Sequence, residues 1–241
     1  MTPLLILLFG VHPATAVGTD LMYAAATKAG GTLFHGFARS VDWRVVRCLA
    51  AGSLPATIIT LCLLSYLNLN SGAARGLITI VLSFALGTTA VVLLFRHKIV
   101  SRYQPRLEKL DSRKVIAATI AVGSLLGVLV SISSVGAGAI GATALIILYP
   151  RLPIVRIIGT DIAHAVPLTL AAGIGHWILG TVDWHVVGSL LIGSLPGVFF
   201  GSYLAIRLPE SALRLVLAGT MLLIAGKLVV DHVHLAAGGS S

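Results

Sequence analysis

Two short polar runs stand inside otherwise apolar sequence and carry the groups whose types and spacing could do chemistry: Gly18-Thr19-Asp20 and Gly159-Thr160-Asp161, 141 positions apart. Each precedes a helix-like run, which is the pattern of an N-cap or of a break within a membrane helix. A broken helix offers unpaired N–H groups and the positive end of its dipole, so an anion can be held there without a full side-chain charge. The plainer alternative is that Asp20 and Asp161 only cap or lock helices. Lys28, the single basic residue well inside a span, lies two turns beyond Asp20 and could neutralise a desolvated anion; alternatively it snorkels to the interface. His164 follows Asp161 by three residues on one helical face, which makes these two the most economical proton-coupling pair in the chain. Carboxylates beside an anion repel it unless one is protonated as the anion binds, and such linkage would tie anion movement to a proton gradient.

A third signal is Ser131-Ile132-Ser133-Ser134-Val135-Gly136-Ala137-Gly138-Ala139-Ile140-Gly141. Its glycines and alanines allow close backbone approach, and hydroxyls such as Ser134 can satisfy polar groups or an oxyanion beside Gly136 and Gly138. It is not a nucleotide loop, because it lacks the Gly-Lys-Ser or Gly-Lys-Thr ending and no soluble strand precedes it. No HExxH pair, GxSxG elbow or cysteine cluster occurs, so the expectation is no catalytic residue, no metal and no cofactor. Cys48 and Cys62 lie in one apolar segment and suggest no disulfide framework.

The elements that must position these groups are membrane helices. Of the 241 residues, 57% are hydrophobic and only 10% charged, where a soluble domain carries about a quarter. The formal net charge of +9 does not point to nucleic acid, because a large share of it falls between Arg96 and Lys114. A basic loop of that kind between apolar spans reads as positive-inside orientation with anionic lipids as company. Segments of about 20 apolar residues run over 14–34, 45–67, 77–95, 157–179, 186–206 and 213–230. The run 115–150 is too long for one simple crossing: it is either one tilted, interrupted helix or a full span followed by a half-helix turning back.

The polar runs belong to a longer repeat at the same offset. His35 returns as His176, Val41-Asp42-Trp43 as Val182-Asp183-Trp184, and Gly52-Ser53-Leu54-Pro55 as Gly193-Ser194-Leu195-Pro196. A two-fold repeat carrying Asp and His through apolar sequence is the mark of an internally duplicated transporter. The expected fold is an all-α polytopic membrane protein with two homologous repeats of about four transmembrane elements: residues 1–95, a basic cytoplasmic loop 96–114, and residues 115–241. One crossing over 115–150 makes the repeats parallel and two make them inverted; Arg151, Arg156, Arg207 and Arg214 would be inside only in the inverted case, so charge leans that way. Gly136, Gly138 and Gly141 map to positions at or before the start of the chain, so the first element of the first repeat is expected to be truncated. His35 and His176, ahead of Asp42-Trp43 and Asp183-Trp184, read as interfacial packing residues, with Trp43, Trp184 and Trp177 in an aromatic belt.

Taken together, Gly136-Ala137-Gly138 before Tyr149-Pro150, the paired Gly-Thr-Asp, Val-Asp-Trp and Gly-Ser-Leu-Pro runs, and the following Gly197 and Gly201 resemble the TauE/SafE sulfite exporter family over nearly the whole chain. That resemblance implies an eight-span secondary transporter of the bacterial inner membrane, moving sulfite, an organosulfonate or another small sulfur-containing organic anion. Thr19, Asp20, Lys28, Ser134, Gly136, Gly138, Thr160 and Asp161 are the expected substrate-binding residues, with Asp161 and His164 coupling transport to a proton gradient. An anion channel and a non-transporting membrane subunit are the alternatives, and homo-oligomerisation is left open.

Overall fold

The computed structural model describes residues 1–37, 41–66, 72–107, 111–136, 138–194 and 210–238. Every regular element among them is helical: α1 (Thr2–Phe9), α2 (Pro13–Phe37), α3 (Trp43–Tyr66), α4 (Gly72–Leu107), α5 (Ser112–Ser133), α6 (Ala139–Leu148), α7 (Ile154–Ile178), α8 (Trp184–Ser194) and α9 (Glu210–Gly238). In lipid each backbone N–H and C=O must find a partner within the chain, which the helix supplies locally. Four of these helices, within α3, α4, α5 and α7, are long and apolar enough to cross a membrane. Leu195, Pro196, Gly197, Gly201 and Ala137 lie outside the described residues, and so does the His35 side chain.

Side-chain contacts fix the relative directions of the central helices. Gly18 of α2 faces His176 of α7, and Met22 faces Gly173, so these two 25-residue helices pack antiparallel. Helix α3 instead runs parallel to both α5 and α7. Along α5, Ser124 Oγ donates to the Gly52 carbonyl at 3.3 Å and Thr57 Oγ1 to the Gly127 carbonyl at 3.5 Å. The α3–α5 approach depends on missing side chains: a methyl on Gly52 would land on the Ile120 carbonyl, and one on Gly123 on the Leu49 carbonyl. Small residues that let backbones meet are a principal source of helix association in a bilayer, where burial of apolar surface brings little gain.

Residues 115–150 form two helices, not one interrupted crossing. Helix α5 ends at Ser134, whose φ is 57°, and Gly136 follows at φ 112°, a backbone region where glycine carries no Cβ penalty. Helix α6 then doubles back, because Tyr149 at its C-terminal end reaches Thr119 near the start of α5, 2.8 Å between the hydroxyl oxygens. Its ten residues span about 15 Å at 1.5 Å per residue, half the hydrocarbon thickness.

Two expectations from sequence are corrected here. Gly18-Thr19-Asp20 and Gly159-Thr160-Asp161 are neither N-caps nor breaks; both lie about two turns inside the continuous helices α2 and α7. A lone glycine costs a helix only about 1 kcal/mol, and Thr160 Oγ1 folds back to donate to the Arg156 carbonyl at 2.6 Å. The basic stretch expected as a loop from 96 is helical as far as Leu107, and α5 already begins at Ser112. Nothing between Arg96 and Arg102 stops a helix, since Arg and Lys are good helix formers.

Candidate functional site: a buried carboxylate, histidine and lysine centre

The short helices α1 and α6 present their first turns to the two repeated aspartates. Asp20 Oδ2 accepts hydrogen bonds from the Thr2 backbone N–H at 2.8 Å, from Thr2 Oγ1 at 2.6 Å and from Ser134 Oγ at 3.2 Å, with the Met1 amine at 3.1 Å. Asp161 stands in the same relation to α6, where a methyl on Gly141 would collide with its Oδ1. Both carboxylates therefore lie at the positive end of a short helix's dipole.

The two acids differ in one respect. Asp20 Oδ2 is saturated with donors, whereas Asp161 Oδ1 is buried and has no hydrogen-bond partner among the described residues. Lys28 is half-buried and within electrostatic reach of both Asp161 and Asp20. His164, fully buried, is held by Ser53 of α3 with 2.9 Å between Nε2 and Oγ. The other ring nitrogen, Nδ1, is also buried without a partner. Three residues apart on α7, His164 turns to Ser53 of α3 while Asp161 turns to Gly141 of α6. Buried polar atoms without partners each cost about 1–3 kcal/mol, so two of them within one turn of α7 make this stretch a candidate site.

Of the other expected residues, Ser134 reaches Asp20, Gly136 supplies the positive-φ link, and Gly138 is the N-cap of α6. Thr19 and Thr160 are placed differently. The Asp42 N–H donates to Thr160 Oγ1 at 2.9 Å, and the Asp183 N–H donates to Thr19 Oγ1 at 3.0 Å. These are the same bond at the same offset of 141, formed at opposite ends of the antiparallel pair α2 and α7. Asp42 and Asp183 are the true N-caps: Oδ1 of Asp42 accepts from the Arg44 and Val45 N–H groups, and Oδ1 of Asp183 from those of His185 and Val186. An Asp immediately before a repeated Trp-led apolar run was the available signal.

His176 is likewise more than an interfacial packing residue. It is 1% exposed, with Nε2 at 2.9 Å from the Ser131 carbonyl and Nδ1 at 2.9 Å from Thr181 Oγ1. A carbonyl only accepts, so Nε2 carries the proton and the ring ties α7 to α5. Trp177 and Trp184, both half-exposed, meet edge to face at 5.6 Å, a favoured geometry for aromatic pairs.

A helical chain of this hydropathy, with paired polar centres buried at antiparallel helices, is a polytopic membrane protein built to pass something small. The chain belongs to the sulfite exporter TauE/SafE family, whose model matches residues 1–228. It is 34% identical over 232 residues to the "Probable membrane transporter protein YjnA" of Bacillus subtilis (strain 168), a match that covers 95% of this chain and 90% of that protein. No solved structure matches it. The protein is a multi-pass membrane transporter.

Proposed function

We propose that the protein is a secondary transporter that moves a small oxyanion, sulfite or an organosulfonate, across the bacterial inner membrane by alternating access, coupled to protons. The observation that carries this reading is the centre just described, in which Lys28 lies within electrostatic reach of Asp161 and Asp20, and Asp161 and His164 each hold a buried polar atom without a partner among the described residues. Lys28 supplies the positive charge that a desolvated oxyanion needs. Asp161 Oδ1 and His164 Nδ1 supply places for a proton, while Asp20 holds the end of α1. The family's own description as a sulfite exporter supports the substrate class.

The mechanism rests on two inverted repeats, supported by the antiparallel packing of α2 on α7, by helix bounds that coincide at the offset of 141 for these two, and by the reciprocal Thr–Asp hydrogen bonds. Charge orients the assembly, with the basic end of α4 and the start of α5 on the cytoplasmic side. Labelling of single cysteines in intact cells checks this: position 98 should be shielded from an impermeant maleimide and position 185 reachable. Equal protection of both positions would mean parallel repeats.

Transport is tested by flux into proteoliposomes with sulfite, sulfoacetate, taurine and thiosulfate, with and without a pH gradient. Lys28→Ala should raise the half-saturating anion concentration more than tenfold, since a charged hydrogen bond is worth about 1.5–3 kcal/mol. The maximal rate should change less than the apparent affinity. Unchanged half-saturation in a normally inserted Lys28→Ala protein would remove the lysine from the substrate site.

A further inference from the structure

Ser53 makes a bond that other buried hydroxyls of these helices do not. Thr60 Oγ1 donates to the Ala56 carbonyl, Ser83 Oγ to that of Thr79, Ser131 Oγ to that of Gly127 and Thr169 Oγ1 to that of Ala165, each folding back onto its own helix. Ser53 Oγ, fully buried, has one partner among the described residues, Nε2 of His164 at 2.9 Å. Its backbone is pinned on another side, because a methyl on Gly127 of α5 would meet the Ser53 carbonyl. The repeat supplies a comparison. At the offset of 141, Ser194 corresponds to Ser53 and Tyr23 to His164, and Ser194 Oγ keeps the ordinary bond within its helix, donating to the Leu191 carbonyl at 2.8 Å. The serine crosses to α7 in the half that carries the histidine.

That bond decides where the ring proton sits. A hydroxyl has one proton to give, and Nε2 of His164 is the one acceptor that Ser53 Oγ has among the described residues. Nε2 then accepts, the ring is neutral, and its proton is on Nδ1. Nδ1 is buried without a partner among the described residues, so the ring holds an unspent N–H donor within one turn of Asp161 and within electrostatic reach of Lys28. His176, on the same helix, has Nε2 at the Ser131 carbonyl and Nδ1 at Thr181 Oγ1, and leaves no ring nitrogen for a ligand. Building on the transport reading above, we infer that Ser53 is a positioning residue, which fixes His164 as the Nδ1–H tautomer so that Nδ1–H donates to an unprotonated oxygen of the transported sulfite or sulfonate. Lys28 is a point charge on a flexible stem. An N–H of fixed tautomer adds direction, and selects an acceptor oxygen over an O–H. Of the two places for a proton in the centre, Nδ1 is already filled, which leaves Asp161 Oδ1 as the one that loads and unloads.

The test is nitrogen NMR of the full chain in nanodiscs with isotope-labelled histidine, the His164 signals being assigned by their absence from His164→Asn. Without added anion, Nδ1 of His164 should resonate as a protonated ring nitrogen and Nε2 as an unprotonated one. Ser53→Ala should lose that preference, and Ser53→Thr, which keeps the hydroxyl, should retain it. Sodium sulfite and sodium methanesulfonate, titrated separately against sodium chloride of equal ionic strength, should move the Nδ1 signal. In proteoliposome flux, His164→Gln places an amide near Nε2 but none near Nδ1, so the half-saturating sulfite concentration should rise about tenfold or more, with a smaller change in maximal rate. His164→Asn, whose amide stands near Nδ1, should recover part of that loss and keep a pH-driven anion ratio well above one. An Nε2–H ring in the unsubstituted protein, an Nδ1 signal indifferent to both anions, or a normally inserted His164→Asn protein without any pH-driven ratio overturns the inference. An Nε2–H ring leaves the transport reading standing, since Lys28 and Asp161 do not depend on it. Absent flux beside an Nδ1 signal that still answers to the anions overturns transport and leaves this donor in place.

Discussion

Asp161→Asn should separate the proton from the anion. In proteoliposomes with a gradient of about one pH unit, each coupled proton sustains an anion ratio of about tenfold, and the variant should let that ratio fall to about one while still binding the anion. The reason lies in one oxygen. Asp161 Oδ1 abuts the first turn of α6 without a hydrogen-bond partner, so a proton placed there changes the charge of the centre without displacing any bond. Asparagine keeps the shape and the contact with Gly141 but cannot gain or lose that proton. Asp20→Asn should behave differently, because Asp20 Oδ2 gathers three hydrogen bonds from Thr2 and Ser134. Asparagine can turn its carbonyl to those donors but loses the negative charge that faces the Met1 amine at 3.1 Å, and a hydrogen bond to a charged group is worth about 1.5–3 kcal/mol, so that variant should lose stability in detergent rather than proton coupling alone. The measurement is the steady-state anion ratio together with the melting temperature of the purified protein. An undiminished ratio in Asp161→Asn would assign the residue to packing.

Much of this arrangement is legible in the residues, and what is not has physical causes. The membrane class, the helical fold and the family follow from hydropathy and from the ordered motifs. The turn at Ser134-Gly136 is visible as a glycine-rich interruption, and the placing of Lys28 two turns beyond Asp20 on one helix follows from spacing. What a sequence of this kind hides is which face of each helix meets which neighbour. A helix that is apolar all round has no amphipathic stripe to orient it, so nothing in the spacing of Asp161 and His164 says that one turns to α6 and the other to α3. The same blindness made Gly-Thr-Asp look like a break, when Thr160 bonds back to its own helix and the caps lie at Asp42 and Asp183. Helix α4 outran its apolar segment because a charged face is as compatible with a helix as an apolar one, and only hydropathy ended at Arg96.

The reciprocal bonds of those two capping aspartates should set which side of the protein opens. The Asp42 N–H held by Thr160 closes the basic end of α3 onto α7, and the Asp183 N–H held by Thr19 closes the start of α8 onto α2 at the other end. Thr160→Val and Thr19→Val keep the side-chain shape but remove the acceptor. Each leaves one backbone N–H unpaired at a cost of about 1–3 kcal/mol, which is about tenfold or more in an open–closed equilibrium. Val46 and Val187, both buried and equivalent at the offset of 141, lie one turn beyond the two caps and can each be replaced by cysteine in a background lacking Cys48 and Cys62. Thr160→Val should speed alkylation of Val46→Cys about tenfold and slow that of Val187→Cys, because opening one end closes the other in alternating access. Thr19→Val should produce the reverse. The opposed signs are what distinguish a pair of coupled latches from simple loosening, in which each variant would expose only its own end or both reporters would accelerate together.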